Sequence, residues 1–192
     1  MEKNRSLAGY RAVDLVLFAV MLAVFESIAV LAALRWFPGQ PSTVSLTPLV
    51  VAMVLVRWGP WAGIHALLGG AVLCFWSRAL PSQFVIYCVG NCFSLLLLPL
   101  LQKWRKEEGI WRSGVKALSF GAGVLLLMQA GRALLSLLLG ADVASLPRFF
   151  TTEVITDLFT LVVLWIVRRL DGMLEDQRHY LRRVREEARA GG

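Results

Sequence analysis

Apolar residues gather into six runs, about 12–34, 44–57, 60–76, 82–101, 114–139 and 147–167, with charged residues collected between and beyond them. Runs of this length and character predict helices that cross a bilayer. Inside the first, Ala12 to Leu34, only Asp14, Glu26 and Ser27 interrupt the apolar side chains with hydrogen-bonding groups. The second and third runs fall short of the roughly 20 residues that a straight span needs. Arg57-Trp58-Gly59-Pro60 between them allows only a tight reversal, so a re-entrant or broken limb is expected there. The predicted fold is all-α, an integral membrane bundle of six transmembrane helices over residues 1–170.

Between the first two runs, Trp36 to Ser45 holds Pro38, Gly39, Pro41 and small polar residues, the composition of an irregular loop long enough to fold over the bundle. After Leu170 the character changes. Leu170, Leu174, Leu181 and Val184 recur at helical spacing among charges, and Arg182/Glu186 and Arg183/Glu187 stand four apart. Residues 171–192 are therefore expected to form an amphipathic tail helix, lying in solvent or along lipid headgroups.

Composition strengthens the membrane reading: of 192 residues 57% are hydrophobic, and seven are Trp. Arg35, Trp36 and Phe37 follow the first run where a cleavable signal would carry small residues, so that run is expected to stay as a span. The net charge of +7 would suit nucleic acid, but the basic residues flank apolar runs instead of forming one stripe on a soluble fold, so nucleic acid is not an expected partner. Their placement reports topology. With the N-terminus inside, Lys3, Arg5, Arg11, Arg57, the basic residues from Lys103 to Lys116 and the seven arginines from Arg168 to Arg189 fall on the cytoplasmic side. Only Arg35, Arg78 and Arg148 fall outside. That bias places both termini in the cytoplasm. Trp36 and Trp76 then mark outer ends of spans, and Trp58, Trp61, Trp104, Trp111 and Trp165 inner ones, as interfacial belts require.

An ionisable group inside a span costs at least about 2.5 kcal/mol near the bilayer centre, so each one needs a partner, a cavity or a substrate. At about 100° per residue, Ala12, Ala19, Ala23 and Glu26 share one face of the first helix. Gln129, Arg132 and Ser136 share a face of the fifth, and Glu153, Thr156, Asp157 and Thr160 a face of the sixth. The fourth contributes Gln83, Tyr87, Asn91 and Ser94. Counted from the outer ends at ~1.5 Å per residue, Glu26, Arg132 and Glu153 lie roughly 9 to 12 Å deep, and Gln129 and Asp157 roughly 15 Å. Two readings follow. Arg132 pairs with an acid simply to hold helices together, or these residues line a pocket open to the outside. Three acids against one arginine leave net negative charge in a low dielectric, which favours the pocket and an amine-bearing or cationic ligand.

Cys74, Cys88 and Cys92 all fall within apolar runs, as buried small hydrophobes do, and no disulfide framework is expected. Cys88, Cys92 and His65 are too scattered to predict a metal site. Glu153 and Asp157 stand near each other without a nucleophile motif, a Gly-rich phosphate loop or a zinc signature, so neither an enzyme nor a cofactor is expected.

Residues 12–170 resemble the substrate-binding S components of energy-coupling-factor (ECF) vitamin transporters. The likeness is carried by Ala19-x-x-x-Ala23, by the loop after the first helix, and by Thr47-Pro48-Leu49 through Arg57-Trp58-Gly59-Pro60-Trp61-Ala62-Gly63 to Gly69-Gly70. It implies a multi-pass protein of a prokaryotic cell membrane that captures a vitamin or related micronutrient in its outer half and hydrolyses nothing itself. Ala19 and Ala23 would pack on a transmembrane coupling subunit driven by a pair of ATPases. Glu26, Gln83, Tyr87, Asn91, Gln129, Arg132, Glu153 and Asp157 would line the substrate site. The shared face of Ala19, Ala23 and Glu26 then calls for a bend near Phe25, so that the alanines face the partner and the acid the pocket. A sensor or scaffold module signalling through its tail helix is the alternative from another class.

Overall fold

A computed structural model describes residues 7–38, 44–105, 113–170 and 172–190. Most of the loop after the first helix, the basic stretch 106–112 with Trp111, Lys3, Arg5 and Asp171 lie outside the described residues. Six helices build the bundle: α1 (Leu7–Trp36), α2 (Thr47–Trp58), α3 (Ala62–Trp76), α4 (Pro81–Trp104), α5 (Gly114–Leu138) and α6 (Val154–Val167). A seventh, α7 (Gln177–Ala190), follows a turn. Among the described residues there is no strand, and five helical stretches are long and apolar enough to cross a membrane.

One of those stretches, Thr47–Trp76, doubles back. Gly59 takes φ +64°, a left-handed conformation that favours glycine, and Pro60 follows in a single 3₁₀ turn. Thr47 consequently lies against Gly69 on the returning limb. The limbs hold 12 and 15 residues, about 18 and 22 Å at ~1.5 Å per residue, so the pair is a short hairpin inside the bundle, as its short apolar runs anticipate.

All twelve residues of α2 are buried. Its sequence, TPLVVAMVLVRW, is apolar on every side until its last turn, which suits a helix enclosed by others. α1, α3, α5 and α6 surround it, packing Phe18, Leu22, Phe120, Val124, Met128 and Leu164 around Leu49–Val56. The outer helices show the reverse pattern. α1 buries only Phe18, Leu22, Glu26 and Val30, one residue per turn, and exposes Val13, Val16, Leu17, Val20, Val24 and Ile28. α6 likewise exposes Ile155, Leu158, Val162 and Ile166. Apolar surface over such long helices is what contact with lipid requires.

Level markers fix how the helices run. His65 and Trp76 of α3 bond to Leu15 and Ser27 of α1, so those two helices are parallel. At one end of the bundle guanidinium groups cover tryptophan rings: Arg11 lies 4.8 Å from the Trp61 centroid, and Arg169 4.8 Å from that of Trp165. The first turn of α1 meets α7 at this same end. Such Arg–Trp pairs suit a membrane–water interface.

α1 is one unbroken α-helix from Leu7 to Trp36, so no π or 3₁₀ turn marks the bend near Phe25 that the sequence called for. Leu15, Ala19, Ala23 and Ser27 follow one another at four-residue spacing, and the first and last of them bond to α3. Ala19 and Ala23, half-buried, therefore lie along the α1–α3 seam. Glu26 points beside them into the bundle.

Candidate functional site

Local irregularity in α4 sets the site. After a first α-turn it passes through a π-helical segment at Val85–Val89 and a 3₁₀ segment at Cys92–Leu97, departures that in helices often accompany function. Between them Gly90 meets Gly131 of α5. A Cβ on Gly90 would sit 2.8 Å from the Arg132 backbone nitrogen, and one on Gly131 would sit 2.5 Å from the Gly90 carbonyl oxygen. Only glycines permit this approach, and it places Arg132 beside Asn91.

Arg132 Nε donates to Asn91 Oδ1 at 2.7 Å, and Nη1 is ion-paired with Glu153 Oε1. The guanidinium carbon lies 5.3 Å from the centroid of the Tyr87 ring, within cation–π range. Asn91 Nδ2 donates to the Ala66 carbonyl of α3 at 3.3 Å, and Ser94 Oγ donates to the Asn91 carbonyl. Arg132 is 3% exposed and Glu153 7%. One turn along, Gln129 Nε2 donates to both oxygens of Asp157, at 3.0 and 2.9 Å. Asp157 is half-buried and has no ion-pair partner of its own among the described residues. Thus Tyr87, Asn91, Gln129, Arg132, Glu153 and Asp157 come together on α4, α5, α6 and the residue that precedes α6. The pair is neutral as a unit; Asp157 is the carboxylate left over.

Two of the expected site residues lie elsewhere. Gln83 is exposed in the first turn of α4, where its Oε1 accepts from the Leu80 backbone N–H at 3.1 Å. Glu26, fully buried, faces the start of α2: Oε1 accepts from Ser45 Oγ at 2.7 Å, and Oε2 from the Leu46 backbone N–H at 2.8 Å. A carboxylate there meets the positive end of the α2 dipole and its unpaired amides. The Ser45 backbone N–H in turn donates to Thr156 Oγ1 of α6 at 3.0 Å. The chain thus returns from the end of α1 at Trp36 to the level of Glu26, ten residues back along the helix, before α2 begins. Irregular backbone at that depth is tolerated because protein surrounds it.

A second polar cluster, at the Arg–Trp end, went unread in the sequence. Arg57 holds Asp14 with two hydrogen bonds of 2.9 and 2.8 Å, Trp58 Nε1 donates to the same carboxylate, and Arg57 Nη1 donates to the carbonyls of Gly172 at 2.8 Å and Met173 at 3.3 Å. Arg57 is 6% exposed. The signal available was spacing: Asp14 and Glu26 are twelve apart on α1, as Arg57 and Ser45 are across α2, so the two acids of α1 fasten both ends of the central helix. His65 is occupied by carbonyls of α1 and its own turn, at 3.0 Å from Leu15 O and 3.4 Å from Trp61 O. Cys92 Sγ lies 3.4 Å from the Cys88 carbonyl.

Comparison with family models, curated proteins and solved structures finds no match to this chain.

Proposed function

We propose that this chain is a membrane substrate-binding subunit of the ECF type, which captures a vitamin-like micronutrient at the Arg132 cluster and delivers it through a coupling subunit and an ATPase pair. The observation that carries the reading is Asp157. It is a part-exposed carboxylate among apolar helices, beside a satisfied Arg132–Glu153 pair, and among the described residues its only hydrogen-bond donor is the neutral amide of Gln129. A carboxylate so placed is costly unless a cationic or amine-bearing ligand completes it. Tyr87 supplies a ring to stack on, and the π-helical turn that carries it suits an adaptable wall. The orientation goes with the proposal: the Arg–Trp end faces the cytoplasm, by the excess of basic residues there, and the ligand enters from the opposite side. Ala19 and Ala23, part-exposed at the α1–α3 seam, are where a coupling subunit would pack.

The test is thermal stabilisation of the purified full chain by a panel of B vitamins and related amines. A ligand at about 100 times its Kd adds about 2.7 kcal/mol. Asp157→Asn, which keeps shape and leaves Gln129 an acceptor, is expected to weaken the responding ligand by about tenfold to a hundredfold, the worth of a charge-assisted hydrogen bond. Absence of stabilisation across the panel overturns the proposal.

One observation favours a second reading, a sensor whose tail carries the signal: Arg57 ties the turn at Gly172 and Met173 directly to α1 and α2. Removing 178–192 spares this buried turn and separates the two. Substrate capture predicts ligand binding and uptake close to those of the intact chain. Preserved binding with abolished cellular function favours the sensor.

A further inference from the structure

We infer that the groove between the first turn of α1 and α7 holds the headgroup of an anionic phospholipid in the leaflet at the Arg–Trp end of the bundle. Leu7, Arg178, Leu181 and Arg182 line a cavity of about 390 Å³ there. Arg178 and Arg182 stand one turn apart on α7, both exposed, and neither side chain has a carboxylate partner among the described residues. The Arg182–Glu186 pair expected from spacing does not form. Arg183 on the neighbouring face behaves differently: it bonds Glu175 at 3.1 Å, lies 4.0 Å from Glu187, and covers Tyr180. Among the arginines of α7 whose side chains are described, the two at the groove are therefore those without a carboxylate, and they can take an anion.

α7 is held in place rather than trailing. Leu174 and Gln177 are buried, Gln177 Nε2 donates to the Gly172 carbonyl at 2.6 Å, and Gly172 packs against the Tyr180 ring. That turn is itself anchored by Arg57. The groove consequently has fixed walls and stands level with Trp61, Trp165 and their covering arginines, where headgroups lie.

Lipid is the occupant that fits both halves of the lining. A soluble phosphate would use the two guanidinium groups and leave Leu7 and Leu181 idle, whereas a phospholipid sets phosphate on the arginines and its glycerol and first methylenes on the leucines. α7 as a whole carries five arginines against two glutamates, which complements an anionic surface.

Native mass spectrometry of the full chain, offered equal phosphatidylglycerol and phosphatidylcholine in detergent, tests this inference. The wild-type protein is expected to retain phosphatidylglycerol selectively. A charge-assisted hydrogen bond to phosphate is worth at least about tenfold in affinity, so R178Q/R182Q, which removes both guanidinium groups from the groove, should lose about a hundredfold and with it most of the selectivity. Both positions are exposed, and an unchanged melting temperature confirms the fold. Arg183→Gln should leave the selectivity intact. Three results overturn the inference: unchanged retention in the double variant, an equal loss in Arg183→Gln, which would mean diffuse surface charge, or displacement of the lipid by millimolar glycerol phosphate, which would mean a soluble-anion site.

Discussion

Arg132→Ala is expected to destabilise the bundle by about 3 to 5 kcal/mol, read from unfolding in mixed micelles of rising denaturing-detergent content. Truncation leaves Glu153 as a buried carboxylate without its ion-pair partner and takes the donor from Asn91 Oδ1; stranding one member of a buried pair costs about that much. Replacing both members tells whether the pair is only a fastener. Arg132→Met with Glu153→Leu removes both charges at similar volume, and such replacements are commonly neutral or stabilising. Stability within about 1 kcal/mol of wild type is therefore expected. Ligand stabilisation in that double variant should nevertheless vanish, because Tyr87 and Asp157 lose the groups that set their environment. If the double variant is stable and still binds ligand unchanged, the pair is structural and takes no part in binding.

Much of the architecture was written in plain patterns. The six runs correspond to α1–α6, and the tight reversal at Gly59 and Pro60 follows from residue types that permit little else. The pairing of Arg132 with Glu153 and the closeness of Tyr87 to Asn91 were readable because a four-residue spacing, and a count from the ends of two neighbouring helices, survive the local departures from α geometry. Legibility fails where a partner sits in irregular chain. Glu26 was read as an inward-facing acid of α1, but its partners, Ser45 and Leu46, belong to a segment whose composition reads as an outer loop; nothing in the composition says that they meet Glu26. Arg57 and Asp14 were missed for a related reason. A charge beside a turn counts as an interfacial loop charge unless the carbonyls of a distant turn, here Gly172 and Met173, are known to be waiting for it. The π and 3₁₀ segments of α4 are invisible to periodicity, since they shift the register by only a fraction of a turn.

Glu26 offers the sharpest separation between a lining residue and a fastening one. Glu26→Ala removes the acceptor of the Ser45 hydroxyl and of the Leu46 amide at a fully buried position. Two hydrogen bonds to a charged group are worth about 1.5 to 3 kcal/mol each, and the stranded amide and vacated volume add to the loss. The sum is tempered because a chain unfolded in detergent also finds partners, so a net cost of about 3 kcal/mol is expected. Glu26→Gln retains one oxygen acceptor and the volume but gives up the charge facing the helix dipole, which limits its cost to about 1 to 2 kcal/mol. The decisive reading is ligand affinity in the glutamine variant, measured with excess ligand so that the altered stability does not intrude. A residue committed to the start of α2 should leave affinity within about twofold of wild type, since it makes no contact with the ligand that mutation could remove. A tenfold or greater loss would instead place Glu26 against the substrate, and would require the segment around Ser45 to move when ligand binds.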